Sequence, residues 1–169
     1  ISISLLMASA IEYLNQALAI SQEIGDRQGE GTRLGNLGSA YDGLSQYEKA
    51  IAYHSQALAI SREIGDRQGE GNRLGNLGNT YNRLSQYEKA IEYYSRALAA
   101  YDAVWDKLKT DDRRITFADQ EYMNRSRGLQ RAHATLGQPE HALAQSGQVD
   151  AHGLGRAHRQ PEAARAQRL

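Results

Sequence analysis

The chain contains no cysteine and only two prolines in 169 residues. Without cysteine there is no disulfide framework, no thiolate zinc site and no cysteine nucleophile. Charge of one sign is also missing, since 20 Lys and Arg balance 20 Asp and Glu. A generic nucleic-acid binder draws its affinity from Lys and Arg neutralising phosphates, so this balance argues against that class. No apolar run approaches the ~20 residues a membrane span needs. The opening Ile1-Ser2-Ile3-Ser4-Leu5-Leu6-Met7 has no basic n-region. It reads as a cut through an ordinary apolar segment rather than as a signal peptide, and a cytoplasmic location is expected. Against these absences stands one surplus, 16 glycines.

An internal repeat organises what is there. Ile11 to Ala50 and Ile51 to Ala90 align without a gap and are identical at roughly 31 of 40 positions. A third copy begins at Ile91-Glu92-Tyr93-Tyr94 and then diverges. Each unit reads as two helices. Leu34, Leu37, Tyr41 and Leu44 recur at helical spacing in the first, with Asp26 as its expected N-cap and Asp66 as that of the copy. Ser45 and Glu48, repeated as Ser85 and Glu88, have the spacing of a capping box and are expected to open the second helix. Its apolar face runs through Tyr47, Ala50, Ile51, Ala57, Leu58 and Ile64, and Gly65 suits the left-handed residue that ends it. Short links make successive helices antiparallel. A hairpin of this kind cannot bury its apolar face alone. Stacked hairpins can, so the expected fold is all-α, a right-handed solenoid of antiparallel helix pairs.

The glycines fall at the same phases in the two copies. Gly31, Gly35 and Gly38, and likewise Gly71, Gly75 and Gly78, lie inside first helices. Each costs about 1 kcal/mol relative to Ala there, so close packing must offset it. Ala50 and Ala90 are the expected small partners opposite Gly38 and Gly78. A phosphate loop is excluded by the wrong glycine spacing and the lack of a following Lys-Ser/Thr.

The pattern Leu34-x-x-Leu37-Gly38-x-x-Tyr41, then Tyr47, Ala50 and Ala57, resembles the tetratricopeptide repeat. Leu74, Leu77, Gly78, Tyr81, Tyr87, Ala90, Tyr94 and Ala97 match it better, whereas His54 stands where that family has a large apolar or aromatic residue. The long second helix and the GDR-x-x-E and NLG motifs are similar to the repeats of Pins/LGN-type G-protein regulators. They are also similar to the arrays that precede caspase-like CHAT domains. The resemblance covers about residues 10 to 100 and implies a scaffold that binds peptides or proteins and performs no chemistry.

In such a stack the first helices line the concave surface. The inward positions are then Thr32, Gly35, Asn36, Ser39, Asp42 and Gly43, and in the copy Asn72, Gly75, Asn76, Asn79, Asn82 and Arg83. Asn36, Asn72, Asn76 and Asn79 are candidate peptide-binding residues, because an amide side chain can donate and accept against one residue of an extended ligand. Gly35 and Gly75 would leave room for that ligand. Arg33, Arg73 and Arg83 are candidates for its acidic side chains. The competing reading is that the amides bond the neighbouring repeat and that Arg33 and Arg73 pair with Glu30 and Glu70. Tyr41, Tyr47, Tyr81 and Tyr87 read as core.

Residues 1–100 are thus expected to hold a half repeat and two full ones. Residues 101–149 form a degenerate helical spacer, with helix expected over Arg113 to Leu136 and Trp105 packed where the regular array ends. The Arg- and His-rich residues 150–169 read as weakly helical or disordered. No cofactor or metal site is expected, since the histidines lack ligand spacing and no G-x-S-x-G elbow occurs. The expected partner is a protein or peptide, not nucleic acid or membrane. Alternatives are the regulatory end of a CHAT protein, or a structural segment that self-associates through its exposed ends.

Overall fold

The computed structural model describes residues 3–108 and 115–138. Six helices follow one another: α1 (Ile3–Glu23), α2 (Arg27–Gly43), α3 (Tyr47–Glu63), α4 (Arg67–Arg83), α5 (Tyr87–Leu108) and α6 (Ile115–Thr135). No strand occurs among the described residues. Each helix packs on the next, and α2 also touches α4, as α4 touches α6. The first helices α2, α4 and α6 therefore form one layer, backed by α1, α3 and α5. This is the expected right-handed solenoid of helix pairs. The expected tail at 150–169 and the packing of Trp105 lie outside the residues whose structure or side chains are described.

Helix starts follow the sequence in one class of helix and depart from it in the other. Asp26 accepts from the Gly29 amide at 2.8 Å, and Asp66 from the Gly69 amide at 2.8 Å, as N-caps should. The capping box at Ser45 does not form. The residue before α3 is Gln46, and no side chain caps that helix. Ser45 and Ser85 instead take left-handed backbones, φ 58° and 57°. They close the preceding helices: the Ser45 amide donates to the Asp42 carbonyl (3.0 Å) and the Gln46 amide to the Tyr41 carbonyl (2.9 Å). This pair of bonds is the Schellman motif. Gly25, Gly65 and Gly137 occupy the same place with φ near 70°. The link between helices is so short that one residue must end the first. An N-cap needs a different, extended backbone.

The core is made where the two layers meet. Leu34, Leu37, Leu74 and Leu77 are buried, and each such side chain contributes roughly 1.5–3 kcal/mol. Leu34 meets Ala57 and Ile60, whereas Leu74 and Leu77 meet Leu58, Ala97 and Tyr101. The core continues into α6 through Tyr94, Leu129 and Ala132. Tyr41 and Tyr81 are half-buried and stack on Tyr53 and Tyr93, with ring centroids 5.3 and 5.1 Å apart. Ala50 and Ala90 are buried, but they are not what Gly38 and Gly78 accommodate. A Cβ on Gly38 would stand 2.6 Å from the His54 ring, and one on Gly78 2.7 Å from the Tyr94 ring. The planar ring one turn beyond each alanine, on the same helix face, fills the space the absent Cβ leaves.

The left-handed serines carry a steric cost that glycine does not. Ser45→Gly and Ser85→Gly should each raise the unfolding free energy by about 0.5–1 kcal/mol, measured as a shift of the urea midpoint at constant slope. A lowered midpoint in both variants would contradict the assignment of these residues as helix terminators.

Candidate functional site

The layer of first helices is held by arginines seated on glycines. The Arg73 guanidinium lies where a Gly35 Cβ would be, and that of Arg125 where a Gly75 Cβ would be. The room expected at Gly35 and Gly75 for a ligand is therefore occupied by the next first helix. A planar guanidinium can lie flat on bare backbone, which is why the glycines bring the helices close instead of leaving a gap. Arg125 donates from Nη2 to Asn76 Oδ1 and to Glu121 Oε2, both at 3.2 Å. The Nε atoms of Arg73 and Arg125 are buried without a hydrogen-bond partner.

The candidate residues fall into two groups. Asn36 is exposed and Arg33 half-buried, and neither side chain has a hydrogen bond or ion pair among the described residues. The others are engaged within the fold. Asn72 Oδ1 accepts from the Tyr101 hydroxyl (2.6 Å) and Asn79 Oδ1 from the Tyr94 hydroxyl (2.7 Å). Asn76 holds Arg125, and Arg83 pairs with Asp42 at 3.2 Å across α2 and α4. Arg33 and Arg73 do not pair with Glu30 and Glu70. Glu30 takes Arg27 and the Gln22 amide. Glu70 takes Arg62 and Arg67, both at 2.7 Å. Helical side chains lean toward the helix N-terminus, so each Glu meets the Arg three residues before it rather than the one three after. Burial would raise the Glu70 carboxyl, but the bonds from Arg62 and Arg67 outweigh that and hold it below its usual range.

Between α4 and α6 opens a cleft of about 460 Å³, lined by the amides Asn76, Asn79 and Asn82 and by Arg125, Arg127 and Arg131. The arginines of α6 were not among the residues singled out from the sequence. A signal for them exists. Asn124-Arg125, Leu129, Leu136 and Gln138 repeat Asn72-Arg73, Leu77, Leu84 and Gln86, at a spacing of 52 residues instead of 40. Part of the longer step lies in α5, which has 22 residues where α3 has 17.

His54 is the odd member of the array. It is 1% exposed, and its Nδ1 has no partner. Burial, with Arg73 and Arg125 adding repulsion, pushes its pKa down to about 4. Tyr94 in the copy finds Asn79, but the counterpart of Asn79 is Ser39, which donates to the Gly35 carbonyl at 3.1 Å. Among the described residues, no group of three His, Cys, Asp or Glu could hold a metal ion, and no helix is long and apolar enough to cross a membrane.

The tetratricopeptide-repeat profile matches residues 6–63 and 44–103, together more than half of the chain. The chain belongs to the tetratricopeptide-repeat (TPR) family. TPR arrays are repeat domains of the protein-interaction, scaffold type. Among solved structures, BtubC (BKLC) from P. vanneervenii is similar, with a TM-score of 0.74 and 22% identity. The match covers 96% of this chain and 63% of that one, so the TPR segment spans less than two thirds of its neighbour. Nearly identical TPR-like repeats of a Podosopora anserina kinesin-light-chain-like protein match at 17% identity and a TM-score of 0.49, covering 91% and 90% of the two chains. At 22% identity the likeness to BtubC concerns the fold alone. No curated protein matches the chain.

His54 makes TPR stability depend on pH. The folded chain keeps the ring neutral down to about pH 4, while an unfolded His takes a proton near 6.5. The unfolded state thus binds more protons between these values. Stability from this group is full above about pH 6.5 and falls as pH drops toward 4, by up to about 3 kcal/mol. His54→Tyr, the residue of the copy, should flatten that fall between pH 7 and 4.5 in urea titrations. An equally steep fall in the variant would show that His54 is not its source.

Proposed function

We propose that this TPR segment is a non-catalytic cytoplasmic adaptor that holds an extended peptide or a partner protein along the concave first-helix face. The observation that carries this reading is where two nearly identical repeats differ. Thr32, Ser39, Asp42 and Gly43 of α2 become Asn72, Asn79, Asn82 and Arg83 of α4, all at inward positions. Across the first helix and the turn after it these are four of the five differences, and exposed Gln46, Glu48 and Lys49 recur unchanged as Gln86, Glu88 and Lys89, whereas on the second helix exposed Glu12, Asn15 and Gln22 change to Ala52, Ser55 and Arg62. A face on which each repeat meets a different stretch of ligand diverges in this way while its scaffold stays constant. Asn36 offers a free donor and acceptor to ligand backbone, and Arg33 a guanidinium to an acidic side chain. Asn72, Asn76 and Asn79 add the NH₂ donors left over from their internal bonds. Arg73 and Arg83 fix the spacing of the helices and keep the face positive.

Asn36 is exposed and has no hydrogen bond or ion pair among the described residues, so its truncation reports chiefly on the ligand. With a peptide selected by display on the unaltered chain, Asn36→Ala should weaken binding about five- to tenfold, the loss of roughly one to two hydrogen bonds. Asn79→Ala should weaken it further. Unchanged affinity in fluorescence anisotropy for both variants would remove the groove reading.

A second reading concerns association of two copies through α1. Tyr13, Ile20 and Ile24 are 71%, 58% and 70% exposed, whereas Ile60, one repeat on from Ile20, is 4% exposed beneath α2. These side chains form an exposed apolar patch, and a two-fold dimer would bury it against its own copy. Light scattering should show a dimer that dissociates on dilution and is abolished by Tyr13→Glu with Ile20→Glu. A strict monomer at all concentrations would end this reading.

A further inference from the structure

The α4–α6 cleft differs in chemistry from the rest of the groove, because three of its four amides already have the oxygen engaged within the fold, Asn82 being the exception. Asn76 Oδ1 takes the Arg125 guanidinium and Asn79 Oδ1 the Tyr94 hydroxyl. Asn124 Oδ1 takes the Gln120 amide at 3.4 Å. Each of the three keeps its NH₂ free to donate, with one oxygen lone pair already used. The arginines are donors only. Donors outnumber free acceptors in this lining, which suits a ligand that accepts from several sides.

Charge sharpens the class of ligand. Arg125, Arg127 and Arg131 line the cleft against one acid, Glu121, which is already bonded to Arg125. Two positive charges are left without a counter-ion in the lining. A carboxylate would balance one of them. A phosphate monoester carries a charge near −2 at neutral pH and three strong acceptor oxygens. Arg125 is also pre-organised: it is 9% exposed, seated on Gly75 and tied to Asn76, with its Nε unpartnered. Arginine held in this manner forms charge-assisted bonds to phosphate with little further ordering. The positive field is felt nearby, where Arg125 and Arg131 act on the Tyr94 hydroxyl against the effect of burial.

Comparison with the neighbouring seam points the same way. Between α2 and α4, Asp42 closes the groove by pairing with Arg83. One seam further along, the positions equivalent to Asp42 and Arg83 are Asn82 and Thr135. The acid and its closing ion pair are both gone there, and the cleft is open.

We infer that the α4–α6 cleft is a binding site for a phosphate monoester, gripped by Arg125, Arg127 and Arg131 and by the amides of Asn76, Asn79 and Asn124. The identity of the carrier rests on the groove reading: a phosphorylated side chain of the bound peptide would enter the cleft while its backbone runs on past α2. The phosphate chemistry itself does not depend on that reading.

The test is an NMR titration of the full chain, at constant ionic strength, with O-phosphoserine, inorganic phosphate and succinate in turn. The side-chain amide signals of Asn76, Asn79 and Asn124 should move with both phosphates and remain still with succinate. Arg127 and Arg131 are exposed, so Arg127→Gln and Arg131→Gln leave the packing intact. Each should weaken phosphate binding about tenfold, the loss of one charge-assisted hydrogen bond. No shift with either phosphate, an equal response to succinate, or unaltered binding in both variants would overturn the assignment. The carrier is tested with a degenerate peptide library bearing one fixed phosphoserine, before and after phosphatase treatment. Retention that requires the phosphate supports a peptide carrier. Equal retention of both forms leaves the groove reading standing and removes the peptide as the carrier of the phosphate. Binding of inorganic phosphate with no retention of either library keeps the phosphate site, assigns it to a free phosphate compound and removes the groove reading.

Discussion

A large side chain laid on the bare backbone of a glycine in the next helix is the contact on which this array depends. It occurs in two directions. Within a repeat, His54 lies on Gly38 and Tyr94 on Gly78. Between repeats, Arg73 lies on Gly35 and Arg125 on Gly75. A glycine in a helix interior is unfavourable by about 1 kcal/mol. It is retained here because a Cβ at any of these positions would overlap the ring or guanidinium that sets the helix spacing. Leu34, Leu37, Leu74 and Leu77 can then reach their partners across the two layers.

The same contact shapes the groove. Because Arg73 and Arg125 occupy the glycine seats, the first-helix layer has an electropositive lining that is built into the packing. This has a consequence inside the core, where His54 is kept neutral by burial and by those two arginines. It has another at the surface, where Asn76 is spent on orienting Arg125 and shows its donor side to the α4–α6 cleft. Packing and recognition therefore share residues. A change at Gly75 would alter the charge geometry of the cleft as well as the helix spacing.

The two repeats also show how a copied scaffold acquires distinct sites. Their caps, turns and leucines coincide, down to the left-handed Ser45 and Ser85. Their inward faces do not. The Asp42–Arg83 pair closes one seam, and the counterparts Asn82 and Thr135 leave the next one open. The first helix of the third unit is α6, displaced along the sequence, in part by the longer α5, but equivalent in space, with Arg125 in the place of Arg73.

The sequence by itself determined the helix pairs, their order and the solenoid. Those follow from local signals repeated twice: Asp26 and Asp66 as caps, Gly65 as a terminator, and leucines at helical spacing. The same signals misassigned Ser45, because S-x-x-E spacing is satisfied equally by a serine that opens one helix and by one that closes another. Only backbone geometry distinguishes the two. The side chains over Gly38 and Gly35 were likewise decided by the tertiary structure, since period and spacing specify a face but not which ring or guanidinium crosses to it. Asn72, Asn76 and Asn79 were legible as inward amides. That their oxygens face Tyr101, Arg125 and Tyr94 depends on helices up to 49 residues away. Arg125 was the hardest to see, because its repeat signature sits at an altered spacing and its meaning comes from the glycine beneath it.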